Sequence, residues 1–318
     1  MKLIRICAAA LLLGAGAARA ASQQDASIEA GGLTRQYIVV TPDTLPAGPR
    51  PLVIVLHGHL GTAANALGEG ARPSPLSAWV GIADREGILV AALQGLKGRD
   101  NHSGWHDCRI DAVENPQADD VAFVRAVIAG LVQSGRADPR RVYIMGMSNG
   151  AMMALRLALE LRPAPAAVAA VSGSMAVHSA CAAAAAPVSV LLIGGTDDPI
   201  VPYAGGKVGV KDHRTGEVSG AAASRDFWLQ ADGLSGAPAS VADFPHRLAA
   251  DPTRAHRETW GPASGPQVEL LTLQGGGHVE PSLRYHYGWV YSGIVGRQNQ
   301  DLESAEEAWS FFKDKASR

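Results

Sequence analysis

Three short segments of this 318-residue chain carry residue types able to make and break acyl bonds. In "VYIMGMSNGAMMALRLALELRP", Ser148 sits between Gly146 and Gly150, after an apolar run and before a helical pattern. A serine on such a strand-to-helix turn holds its hydroxyl clear of the backbone, above a helix N-terminus that favours negative charge. The plain alternative is a tight turn that holds a serine. A hydroxyl is a poor nucleophile near neutral pH unless a base takes its proton, and the base needs a carboxylate to orient it. "GGTDDPIVPY" offers Asp197 or Asp198, and "GGGHVEPS" offers His278. Both follow apolar runs, at the carboxyl ends of strands, where an open α/β sheet forms its ligand crevice. His278 follows a glycine run after the last such strand, whereas His57 and His59 read as structural or loop residues. For the oxyanion, the backbone N–H of Asn149 is the first expected donor. The second is the N–H of His59 in "VIVLHGHLG", with Leu60 next, where Gly58 lets the chain turn inward.

The elements that must position these residues are legible as alternating runs. Residues 36–40, 52–56, 88–92, 142–145, 168–171, 188–193 and 268–273 read as strands, several of them apolar throughout, as expected when both faces are buried. Residues 119–134, 148–161 and 304–313 read as helices, with another around 225–230. Strands alternating with helices imply a mostly parallel sheet covered on both faces. Residues 21–34 read as a mobile polar segment. The stretches 205–220 and 233–265, rich in Gly, Pro and polar residues, read as long loops, and 180–186 as an Ala-rich loop or short helix. Asp119 and Asp120 open a helix, where the dipole favours them. Met145, Met147, Met152 and Met153 surround Ser148 and are read as core packing, most firmly Met145.

Apolar residues make up 47% of the chain and charged residues 18%, enough for a sizeable core. A formal net charge of -2 gives no reason to expect nucleic acid or an anionic membrane as partner. The opening "MKLIRICAAALLLGAGAARA" has the basic start, short apolar run and Ala18-Arg19-Ala20 end of a secretory signal peptide. Its apolar run is too short for a comfortable membrane span. The reading is therefore a leader over 1–20, one catalytic domain over 21–318, a secreted or periplasmic product and no stable membrane anchor. Cys108 and Cys181 remain after cleavage. Export permits a disulfide between them, with buried or free thiols as the alternative. No zinc spacing is present, and neither a metal nor another cofactor is expected.

Across "PLVIVLHGHLGTAAN", "DDVAFVRAVI", "DPRRVYIMGMSNGAMMALRLALE", "GGTDDPIVPYAGG", "GGGHVEPS" and "IVGRQNQDLESAEEAWSFF" the chain resembles the polyhydroxybutyrate depolymerases and feruloyl esterases of the α/β-hydrolase fold. The match runs in order from about residue 36 to 312. The resemblance implies Ser148 as nucleophile, Asp198 as triad acid and His278 as base, in the order Ser, Asp, His. It implies hydrolysis of hydroxycinnamoyl (feruloyl-type) or short hydroxyalkanoate and polyester-type esters, as small molecules or oligomers. A serine peptidase on the same fold and a non-catalytic binding protein are the alternatives. Three positions depart from the family: Ala151 for a second glycine, Gly194 for a histidine, and Glu280 for an aromatic residue near the acyl pocket. Trp105, within "SGWHDCRID", either lines that pocket or belongs to the core, and Tyr203 and Tyr285 are weaker pocket candidates.

Overall fold

The computed structural model describes residues 21–43, 48–70, 74–182, 186–210 and 213–317. The expected leader lies outside the described residues, as does part of the Ala-rich stretch. Strands β1 (Ser22–Ala30), β2 (Leu33–Thr41), β3 (Arg50–Leu56), β4 (Leu89–Leu93), β7 (Ala137–Met147), β8 (Ala167–Val171), β9 (Ser189–Gly195), β12 (Ser240–Asp243), β13 (Arg254–Trp260) and β14 (Val268–Gln274) form one sheet. Their order is β1-β2-β4-β3-β7-β8-β9-β14-β13-β12. The six from β4 to β14 run parallel, and antiparallel strands flank them on either side. Two hairpins stand apart, β5 (Leu96–Lys97) with β6 (Ser103–Gly104), and β10 (Gly205–Val210) with β11 (His213–Ser219).

The apolar runs explain the layering. Successive residues of a strand point to opposite faces. Accordingly, Leu52, Ile54 and Leu56 join a core beneath α3 (Asp120–Gln133), α4 (Asn149–Glu160) and α5 (Ala221–Ala231). Val53 and Val55 join a second core beneath α2 (Ala78–Glu86) and α7 (Ser304–Phe312), where Trp79, Tyr143 and Phe312 stack. Short α1 (Ala63–Ala66) lies in the connection after β3, and α6 (Trp289–Val295) in the connection after β14. Among the described residues, no helix is long and apolar enough to cross a membrane.

The expected strands and helices are present, and three segments differ. Residues 22–30, expected to be mobile, pair antiparallel with β2 through nine consecutive positions. As an edge strand, β1 is held by its backbone ladder while its side chains stay largely in solvent, so no apolar alternation marks it. Within 205–220, expected as loop, β10 and β11 pair antiparallel. Within 233–265, also expected as loop, β12 is exposed throughout and pairs with β13. Asp119 caps α3 through Ala122 N–H at 2.8 Å, as a helix-start aspartate should. Asp120 does more than answer a dipole: fully buried, it pairs with Arg35 at 2.7 Å and accepts from His106 N–H at 2.8 Å.

Candidate active site

The turn from β7 into α4 leaves Ser148 at φ 56°, ψ −121°, a left-handed conformation that costs a side-chain-bearing residue about 1–3 kcal/mol. Its surroundings enforce this geometry. Ser148 N–H donates to the Val171 carbonyl at 2.8 Å, and Met152 N–H donates to the Ser148 carbonyl at 3.0 Å. A Cβ at Gly146 would overlap the Gly150 carbonyl, and one at Gly150 would overlap the carbonyls of Leu56 and His57. Both glycines are therefore steric requirements of the turn.

Ser148 Oγ lies 2.8 Å from His278 Nε2, and His278 Nδ1 lies 2.8 Å from Asp198 Oδ2. The other oxygen of Asp198 accepts from the N–H groups of Ile200 and Val201, each at 2.8 Å, which fixes the carboxylate. Asp197, its sequence neighbour, is exposed and accepts from the Thr196 hydroxyl instead. His278 N–H donates to Val295 at 2.6 Å, and Gly277 N–H donates to Arg297 at 2.8 Å. These bonds tie the histidine loop to the end of α6. A Cβ on Gly277 would overlap that segment's backbone, so the glycine run permits the close approach.

The loop after β3 packs on the turn, and a Cβ at Gly58 would lie 3.4 Å from Ser148 Cβ. Leu60 N–H donates to the Ser103 carbonyl at 3.0 Å, so that N–H is already engaged. His57 is a neutral support. Its Nδ1–H donates to the Gly58 carbonyl at 2.8 Å, its Nε2 accepts from Gly95 N–H at 3.0 Å, and burial pushes its pKa down to about 4. Burial also outweighs the Asp100 carboxylate and holds His59 below the usual histidine value.

Asn149 has a role in its side chain that sequence reasoning missed. Its Oδ1 accepts from Trp105 N–H at 2.7 Å, and its Nδ2 donates to Asp107 Oδ2 at 2.7 Å and to the Trp105 carbonyl at 3.1 Å. Asp107 is gripped in turn by Arg109 at 2.7 Å and Asn115 at 3.0 Å, all of them buried. Trp105 is completely buried, with Nε1–H donating to the His57 carbonyl at 2.8 Å. It offers no surface to a substrate, so its reading as a pocket residue is corrected to core and loop support. The dense polar and aromatic run "SGWHDCRID" was the available signal for this network. Cys108 and Cys181 form a disulfide, Cα–Cα 5.3 Å, joining this segment to the chain after β8.

The three departures from the family pattern have local explanations. Ala151 occupies space directly over Gly173, where any Cβ would meet the Ala151 methyl at 2.5 Å. Gly194 lies under the Tyr203 ring, 3.2 Å from where a Cβ would stand. The Tyr203 hydroxyl pairs with Thr272 at 2.6 Å, and its ring borders a cavity of about 20 Å³ behind Asp198, also lined by Ser172. Glu280 is 4% exposed, and burial pushes its carboxyl above the usual range. Nearby α6 leaves Trp289 87% exposed, with Val290 and Ile294 also in solvent.

The sequence profile of the Phospholipase/Carboxylesterase family matches residues 39–216. NocK of Nocardia uniformis subsp. tsuyamanensis, an esterase by its assigned name alone, is 34% identical over 289 residues, covering 88% of this chain and 80% of that one. Feruloyl esterase B of Piromyces equi is 28% identical over 65% of this chain, and the match spans 36% of its own length. A poly(3-hydroxybutyrate) depolymerase of Ralstonia pickettii is 28% identical over 41% of this chain and 27% of its own length. Among solved structures, an acetyl xylan esterase from Aspergillus awamori superposes with a TM-score of 0.54 at 15% identity, over 86% of this chain and 98% of that one. At that identity the likeness bears on the fold alone.

Proposed function

Because the chain belongs to the phospholipase/carboxylesterase family of the α/β-hydrolase fold and is a carboxylic ester hydrolase, we propose that it works through an acyl-enzyme on Ser148. The observation that carries this reading is the hydrogen-bonded line Ser148–His278–Asp198, 2.8 Å at each step. Ser148 Oγ attacks the ester carbonyl while neutral His278 takes its proton at Nε2. Asp198 accepts the Nδ1–H and stabilises the imidazolium that forms. The backbone N–H groups of Asn149 and His59 hold the developing oxyanion. His278 then protonates the leaving alcohol, and water repeats the cycle on the acyl-enzyme.

The proposed substrates are hydroxycinnamoyl or short hydroxyalkanoate esters. The feruloyl esterase and hydroxybutyrate depolymerase relatives support this choice. So does the exposed apolar face of α6, whose end is bonded to the His278 loop. The protein is proposed to act outside the cytoplasm after loss of residues 1–20, a reading supported by the Cys108–Cys181 bridge, since disulfides persist in oxidising compartments. The test is a panel of purified protein and its Ser148→Ala variant against p-nitrophenyl acetate, methyl ferulate, hydroxybutyrate oligomers and matched amides. Turnover of esters that the variant lacks is the expected result. Preferential turnover of amides would favour a peptidase, and equal rates for the variant would remove the mechanism.

A further inference from the structure

The 97–104 hairpin docks on the loop after β3, and its Asp100 and His102 meet His59 of that loop. The hairpin is a firm platform. Gly98 N–H donates to the His102 carbonyl at 2.8 Å, Asn101 N–H donates to the Gly98 carbonyl at 3.1 Å, and Asn101 takes φ 62° to close the turn. Arg99 N–H donates to the Glu114 carbonyl at 2.9 Å, which anchors the hairpin from below. Leu60 N–H donates to Ser103 at 3.0 Å and the Ser103 hydroxyl donates to the Gly61 carbonyl, docking the hairpin on the His59 loop.

On this frame the Asp100 carboxylate divides its work. Oδ1 accepts from His102 N–H at 3.0 Å and holds the turn. Oδ2 faces two imidazoles, His59 Nε2 at 2.9 Å and His102 Nδ1 at 3.6 Å. One ligand atom from each of the three residues lies within 4.8 Å of the other two. A tetrahedral ion with bonds of about 2.0–2.1 Å needs its ligand atoms about 3.3 Å apart, so the observed spacings require shifts of an ångström or so in side chains that are free to make them. His59 is 35% exposed, Asp100 25% and His102 54%, so water can supply the fourth ligand and an ion has an open path in.

We propose that His59 Nε2, Asp100 Oδ2 and His102 Nδ1 bind a borderline divalent cation of the Zn²⁺ type, which clips the 97–104 hairpin to the loop that carries the His59 N–H. Two imidazoles and a carboxylate match Zn²⁺, Ni²⁺ and Cu²⁺, and are too few and too nitrogen-rich for Ca²⁺ or Mg²⁺. Coordination through Nε2 leaves the His59 ring proton on Nδ1, so a neutral ring stays neutral, and Asp100 exchanges its contact with Nε2–H for the ion. The site is separate from the Ser148–His278–Asp198 line, and its existence does not depend on the catalytic proposal.

The experiment is titration calorimetry of untagged, chelator-treated protein with ZnCl₂, with melting temperature followed in parallel. One saturable equivalent of Zn²⁺ and a raised melting temperature are expected, with no binding of Mg²⁺. His102→Ala is expected to weaken binding at least about tenfold, the scale on which even supporting residues of metal sites act. Asp100→Asn should do the same while keeping the Oδ1 turn contact. His256→Ala, at a separate exposed His–Asp pair 2.6 Å apart, should bind as the parent does. An unchanged metal-free melting temperature in His102→Ala shows that the variant is folded, and Asp100→Asn serves if it is not. Absence of saturable Zn²⁺ binding, equal binding by His102→Ala and Asp100→Asn, or loss on His256→Ala would overturn the assignment.

Discussion

Replacing Asn149 by alanine tests the least expected part of the site, because it leaves the backbone N–H in place and deletes only the side chain beneath it. Three buried hydrogen bonds are lost, two with Trp105 and one with the Asp107 carboxylate. A neutral buried bond contributes about 1 kcal/mol and one to a charged group about 2, so the sum is about 4 kcal/mol. Part of this is the cost of leaving Trp105 N–H buried without an acceptor, since Asp107 keeps Arg109 and Asn115. Urea unfolding is the assay: the midpoint should fall with little change in slope, because the folded surface is unaltered. Turnover should also fall, by at least about tenfold at saturating substrate, as the turn carrying Ser148 loses its fixed bearing on the Trp105–Asp107 segment. Asn149→Asp should be worse, because it sets a second carboxylate against Asp107. A loss of less than about 1 kcal/mol for Asn149→Ala, with turnover unchanged, would refute the claim that this side chain holds the site together.

Other consequences are equally direct. His57 is buried neutral with its pKa near 4, so protons bind the unfolded chain first as pH falls below the ordinary value of 6.5. Its contribution is complete above pH 6.5 and shrinks by about 3 kcal/mol on reaching pH 4, which urea midpoints across that range should register and His57→Gln should flatten. The Cys108–Cys181 bridge spans 73 residues, which limits its chain-entropy stabilisation to about 4 kcal/mol; the double serine variant should lose about 2–4 kcal/mol in chemical denaturation. Gly150→Ala drives a Cβ into the Leu56 and His57 carbonyls, and kcat should drop by about 100-fold or more.

The parts of this fold legible in the sequence are those set by burial. Strands such as β3 and β8 are buried along nearly their whole length, so unbroken apolar runs mark them. The Ser148 turn was equally plain, because its two glycines are demanded by backbone carbonyls in contact with them. The edge strands β1 and β12 left no such mark, since backbone pairing holds them and their side chains face water. Asp107, Arg109 and Asn115 were missed because buried polar groups are matched to one another across loops, with no periodicity to reveal them. Trp105 looked equally suited to pocket and core, and only the tertiary bond to the His57 carbonyl decides between them. The cluster of His59, Asp100 and His102 is assembled by a hairpin folding onto a loop, so no metal-binding spacing announces it.

The central claim is that Ser148 becomes acylated with His278 as its base. Its most direct measurement is mass spectrometry of the protein quenched during turnover of a slow p-nitrophenyl ester, with peptide mapping of the adduct. The account predicts one acyl group, on the peptide bearing Ser148, absent from Ser148→Ala and forming at least about 10⁴-fold more slowly in His278→Ala. An adduct on another residue, or undiminished ester turnover by Ser148→Ala, would contradict it.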